Sequence, residues 1–154
     1  AHMLGNEEEI IFTATDLLAD TKLAPELSNE AHYYRAKAYL DAGKTDRAME
    51  DLKILAKDTR NVYGAEAKYK VAQIYFDGGQ TDKAEQEVLN YIEVSTPHTY
   101  WLARSFVLLA DVYMKLGRNL DAKQYLLSLK QNYQADDDIA GMIESRLEKL
   151  KTEN

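Results

Sequence analysis

The sequence predicts an all-α fold, a solenoid of antiparallel helix hairpins with about eight helices, and three observations predict it. The first is a pattern written three times: Ala36-x-x-Tyr39-x-x-x-Gly43-x-x-x-x-Ala48, Ala72-x-x-Tyr75-x-x-x-Gly79-x-x-x-x-Ala84 and Ala110-x-x-Tyr113-x-x-x-Gly117-x-x-x-x-Ala122. Each column steps by 36 residues and then by 38, without a slip inside the motif. A fixed period of roughly 20–50 residues marks stacked supersecondary units rather than one globular core. The second is composition: 2 prolines and 7 glycines in 154 residues are too few for a turn-rich sandwich. The third is a hydrophobic content of 45%, which supports a folded core rather than disorder.

From the N-terminus, Ala1-His2-Met3 reads as a scar of tag removal, so residues 1–3 stand outside the fold and the chain is expected to be a fragment. A helix is expected over residues 7–19, with Ile10, Ile11, Ala14, Leu17 and Leu18 apolar. Ala14 precedes Ala36 by 22 residues, close to the 24 and 26 that separate the corresponding alanines downstream. Residues 4–28 therefore read as a half repeat, with Pro25 in the connection that follows.

Repeat one (29–64) places its first helix over 31–42 and ends it at Gly43, where a left-handed residue costs no Cβ clash. Thr45 is expected to supply a capping hydroxyl to the second helix, and Asp46 to favour its positive end. That helix continues through Ala48, Leu52, Leu55 and Ala56, a stripe at i, i+4, i+7 and i+8. Repeat two (65–102) and repeat three (103–135) follow the same plan, with Thr81-Asp82 and Asn119 with Asp121 at the second helix starts. The alanine pairs 36 with 48, 72 with 84 and 110 with 122 allow close helix approach, and each Tyr fills the notch. Residues 136–154 form a capping helix, opened by Asp136-Asp137-Asp138 and apolar at Ile139, Met142, Ile143, Leu147 and Leu150.

These spacings resemble the core of the tetratricopeptide repeat, over residues 29–133. The resemblance implies a right-handed α-solenoid whose first helices line a concave groove. It implies that the groove carries Tyr33, Lys37 and Leu40, then Tyr69, Gln73 and Phe76, then Val107, Asp111 and Met114, with Glu30, Glu66 and Arg104 at the rim. The family's usual Trp column holds His32, Lys68 and Phe106, and the units exceed the common length of about 34 residues. The extra residues are expected in the joints near 60–61 and 95–99. Chaperone-binding members grip a terminal carboxylate with Lys and Asn, where this chain has Tyr33 with Lys37 and Tyr69 with Gln73, so that clamp is not expected. The repeats also resemble those of long bacterial solenoid proteins, which occur in both the cytoplasm and the cell envelope.

Other function classes find little support. A net charge of −7 lacks the clustered Lys and Arg of a nucleic-acid footprint. Zero cysteines exclude a thiolate metal site or a Cys nucleophile, and are compatible with either redox compartment. No segment approaches the ~18 apolar residues of a membrane span. The acidic runs at Asp136–Asp138 and Glu7–Glu9 read as helix-start charges rather than a metal site, because their oxygens do not converge. His2, His32 and His98 stand at no catalytic spacing, and Gly78-Gly79 lacks the context of a phosphate loop. Tyr100 and Trp101 either brace the joint before repeat three or present an aromatic edge.

The expected function is a non-catalytic protein–protein interaction scaffold, binding a peptide or helix of another protein in the groove, without cofactor or metal. The alternative is a structural spacer or self-association module, in which the exposed flank of the 7–19 helix pairs with a second copy.

Overall fold

The computed structural model describes residues 5–94 and 96–152. The Ala1-His2-Met3 scar lies outside the described residues, as does Ser95 of the joint at 95–99. Eight helices and no strand are present among the described residues. They are α1 (Gly5–Leu18), α2 (Pro25–Asp41), α3 (Thr45–Leu55), α4 (Val62–Asp77), α5 (Thr81–Glu93), α6 (Thr99–Lys115), α7 (Asn119–Asn132) and α8 (Ile139–Thr152). The chain divides into two compact units, Ala1–Val71 and Ala72–Asn154, with the division inside α4.

In the first unit α2 packs between α1 and α3. Small residues make this possible: Ala14 of α1, Ala31, Ala36 and Ala38 of α2 and Ala48 of α3 are all buried. Leu52 and Leu55 close the α3 side, each contributing about 1.5–3 kcal/mol of burial. Helix α2 begins at Pro25, not at 31, which corrects the placement of that proline in a connection. Proline lacks the amide that a first-turn residue cannot use, and its fixed φ suits the N1 position. The preceding Ala24, at φ −59° and ψ 143°, has the extended backbone that a following proline enforces.

Gly43, Gly79 and Gly117 all take positive φ, at 76°, 79° and 76°. The next residue's amide then donates back to the motif tyrosine: Lys44 to the Tyr39 carbonyl (2.8 Å), Gln80 to Tyr75 (2.8 Å) and Arg118 to Tyr113 (2.7 Å). This six-residue closure fixes where the left-handed glycine falls at the helix end in all three units. The expectation that Thr45 caps the following helix is corrected. Helices α3, α5 and α7 are preceded by Lys44, Gln80 and Arg118 at the N-cap, with no side-chain cap hydrogen bond. A helix entered straight from a left-handed glycine has one residue for its cap, and Thr45, Thr81 and Asn119 are already its first helical residues. Asp46, Asp82 and Asp121 do lie in the first turns, where the helix dipole favours them.

In the second unit α6 packs on α5 and α7, and α8 covers both α6 and α7. Its core holds Val88, Tyr91, Leu108, Leu109, Leu126, Ile139 and Ile143, and the paired alanines 72, 84, 110 and 122 are buried among them. Asp137 opens α8 by accepting the Ile139 amide at 2.9 Å, so this carboxylate serves as a helix cap.

Candidate partner-binding site

In the first unit, Tyr33 of α2 is half-buried and held by α4. Its hydroxyl donates between the two carboxylate oxygens of Glu66, 3.1 Å from each, and its ring lies 4.5 Å from that of Tyr63. Burial, then the negative charge of Glu66 and its hydrogen bond, push the Tyr33 phenol up to about 12. Lys70 balances the carboxylate, with Nζ 2.6 Å from Glu66. Glu66 is thus occupied within the fold rather than offered at a rim. Lys37 is exposed and Leu40 half-buried on the same helix.

Two of the expected groove residues are not available to a partner. Tyr69 is 7% exposed and Val107 3% exposed, so both belong to the core and their assignment to a binding face is corrected. Each is flanked by further buried positions, Ala67, Lys68 and Val71 around the one and Leu108, Leu109 and Ala110 around the other. These stretches of α4 and α6 are enclosed on more than one face. A groove column inferred from repeat spacing assumes that one face stays open.

The second unit gathers three of the expected residues at one place. Phe76, Asp111 and Met114 line an open cleft of about 590 Å³ together with Lys115 and with Ser145, Arg146 and Lys149 from α8. Phe76 and Met114 are half-buried, and Lys115 and Lys149 are exposed. Asp111 receives a two-pronged ion pair from Arg146, at 2.7 and 2.9 Å, and Arg146 also donates to the Met142 carbonyl at 3.1 Å. Gln73 is half-buried, with its side-chain amide 2.8 Å from Asp77. The cleft therefore combines two adaptable apolar side chains with ammonium groups at its margin, a chemistry suited to an apolar anchor beside a negative charge. The contribution of α8 has no counterpart in the repeat pattern, and only a basic residue at helical spacing on an apolar-faced helix hinted at it.

A second polar cluster was not anticipated. Asp51 of α3, 1% exposed, accepts from Arg35 at 2.7 and 2.9 Å and lies 2.7 Å from His32 Nδ1. Burial alone raises this carboxyl, but the hydrogen bonds from His32 and Arg35 and the guanidinium charge outweigh it and hold it below the usual aspartate range. Arg35 reaches on to Thr15 at 3.1 Å, so the cluster ties α3, α2 and α1 together. Its geometry is that of a buried staple. Tyr100 and Trp101 meet edge to face at 5.0 Å; Tyr100 donates to Asp138 at 2.9 Å and accepts from Arg104 at 2.9 Å. This links the start of α6 to the segment before α8. Among the described residues no group of three or more His, Asp or Glu is placed to hold a metal ion, and no helix is long and apolar enough to cross a membrane.

Glycine-closed helix hairpins, small-residue seams and a terminal helix over the last pair define a helical-repeat protein of the solenoid class. Residues 30–58 and 103–132 each match a model of the tetratricopeptide repeat, and the chain is a tetratricopeptide-repeat protein. Such repeats generally mediate protein–protein interaction and are typically non-catalytic scaffolds. No curated protein and no solved structure matches the chain.

Proposed function

We propose that this chain is a non-catalytic interaction scaffold whose second unit grips a peptide or helix of a partner protein in the cleft between Phe76, Met114 and α8. The observation that carries this reading is the convergence of Phe76, Asp111 and Met114 on one open cleft, margined by Lys115 and Lys149. Half-buried Phe and Met supply contact area and can adjust to a ligand. Preorganisation supports the reading as well, since Asp111 and Arg146 hold each other before any ligand arrives and this pair has little side-chain freedom left to lose. In the first unit, taken by itself, Lys37 stands exposed and Leu40 half-buried on α2 as a candidate contact surface of its own. The test compares partner proteins retained by the wild-type chain with those retained by Met114→Lys and Phe76→Ser. Both variants keep their helical spectrum on this reading and lose the same partners. Retention unchanged in both variants would sink the cleft as the binding site.

A further inference from the structure

A trough in the first unit shares no residue with that cleft. Ile10 and Leu17 of α1 and Leu27 and Tyr34 of α2 form its walls, exposed by 41%, 43%, 48% and 49%. Ala14 and Ala31 lie buried at its floor, and the cavity measures about 450 Å³. Its lining repeats at i, i+3, i+4 and i+7 on both helices: 10, 13, 14 and 17 on α1, and 27, 30, 31 and 34 on α2. Two parallel stripes of that period make the groove into which a third helix fits.

The same chain shows how such a helix sits. At α6 and α7, helix α8 buries Ile139, Ile143 and Leu150, and fixes its register with Arg146 on Asp111 and Lys130 on Glu144. At the trough the walls are ready but the charges are one-sided. Glu9 and Glu30 line it, and past Ile10 and Tyr34 it runs on between Glu7, Lys37 and Asp41. Residues 5–41 carry eight carboxylates against three basic side chains. Glu7 Oε2 is buried there without a hydrogen-bond partner among the described residues.

We infer that the α1–α2 trough is a second docking surface, taking an amphipathic helix whose apolar stripe is flanked by Lys or Arg. A stripe from Asn6 to Leu17 spans about 17 Å, so the occupant needs about three helical turns. Its basic flanks meet Glu9 and Glu30. A second copy of this chain is a poor occupant. Trough against trough sets carboxylates on carboxylates, and α8 has already spent its apolar side on α6 and α7. The inference does not depend on the Phe76–Met114 cleft.

The experiment titrates a labelled synthetic helical peptide, Leu at i, i+3, i+4 and i+7 with Lys and Arg flanks, into the whole chain. Fluorescence anisotropy is read beside a control peptide with the same stripe and Glu flanks. The basic peptide binds about tenfold or more tightly than the acidic one, and raising salt weakens it. The double variant Ile10→Ser with Leu17→Ser loses about tenfold or more in affinity, as does Leu27→Lys, while circular dichroism shows both folded. Met114→Lys leaves the affinity unchanged, which separates this surface from the cleft. Equal binding of both peptides, or none to the folded chain, overturns the inference. So does a concentration-dependent doubling of mass that the Ile10→Ser, Leu17→Ser variant abolishes, since a second copy then fills the trough.

Discussion

Replacing Asp51 by Ala removes the acceptor of a cluster that joins three helices, and the structure sets the size of the loss. Asp51 is 1% exposed, and the side chains of Arg35 and His32 are 20% and 13% exposed. Deleting one partner of a buried ion pair costs roughly 3–5 kcal/mol, because the surviving charge is left without its counterion in a poorly solvated place. Arg35 keeps its Thr15 contact and some water, so the expected loss is about 3 kcal/mol. Asp111→Ala supplies the contrast. It breaks the same two-pronged geometry with Arg146, but those side chains are 22% and 27% exposed, and about 1 kcal/mol is expected. Because repeat arrays open unit by unit, the assay pairs urea denaturation with amide exchange, reading protection on α2 and α3 for Asp51→Ala. Acidity gives a second reading. The Asp51 carboxyl is held below its ordinary value, so its stabilisation is complete above about pH 4 and fades as pH falls through the folded-state value. The gap between wild type and Asp51→Asn therefore narrows below about pH 4. A loss under about 1 kcal/mol for Asp51→Ala, or equal losses for the two alanine variants, refutes burial as the deciding factor.

Two glycines separate strain from collision. Gly79→Ala, at φ 79° with open space around a new Cβ, costs about 1–2 kcal/mol in thermal melts. Gly64→Ala sets its Cβ 1.9 Å from the Asp58 carbonyl oxygen and 2.6 Å from that of Leu55, so the α3–α4 joint must move and the loss is larger than at Gly79. Tyr69→Ala opens a cavity in the core and costs about 3 kcal/mol, which urea melts would show as early unfolding. Ala72→Leu overpacks a seam 1% exposed and costs on the order of 1–3 kcal/mol; a neutral result denies the close helix approach.

The hairpins were legible because their determinants are local. A left-handed glycine, a tyrosine carbonyl four residues earlier and small residues at the seam all act within one or two turns, so they repeat in register. The errors came where a longer-range or competing constraint decided. Pro25 extended α2 because an N1 proline initiates a helix as readily as it interrupts a loop. Thr45 lost its capping role because the glycine closure had already fixed the preceding residue as Lys44. Tyr69 and Val107 share a repeat column with Tyr33 but not its exposure, because burial depends on every neighbour and periodicity reports one face. The Asp51 cluster joins residues 16 and 19 apart on facing helices, a distance at which no motif spacing exists. The cleft was half legible: Phe76, Asp111 and Met114 follow from the repeat, whereas Arg146 and Lys149 arrive with α8.

Site-specific photo-crosslinking tests the binding account most directly. A photoreactive phenylalanine analogue at Met114, in the cleft, is compared with one at Leu127, an exposed position on α7 outside it. Irradiation of the chain with its retained partner should join the two through position 114 and not through position 127. Crosslinks through 127 alone, with position 114 silent, would contradict the cleft as the place where a partner protein is held.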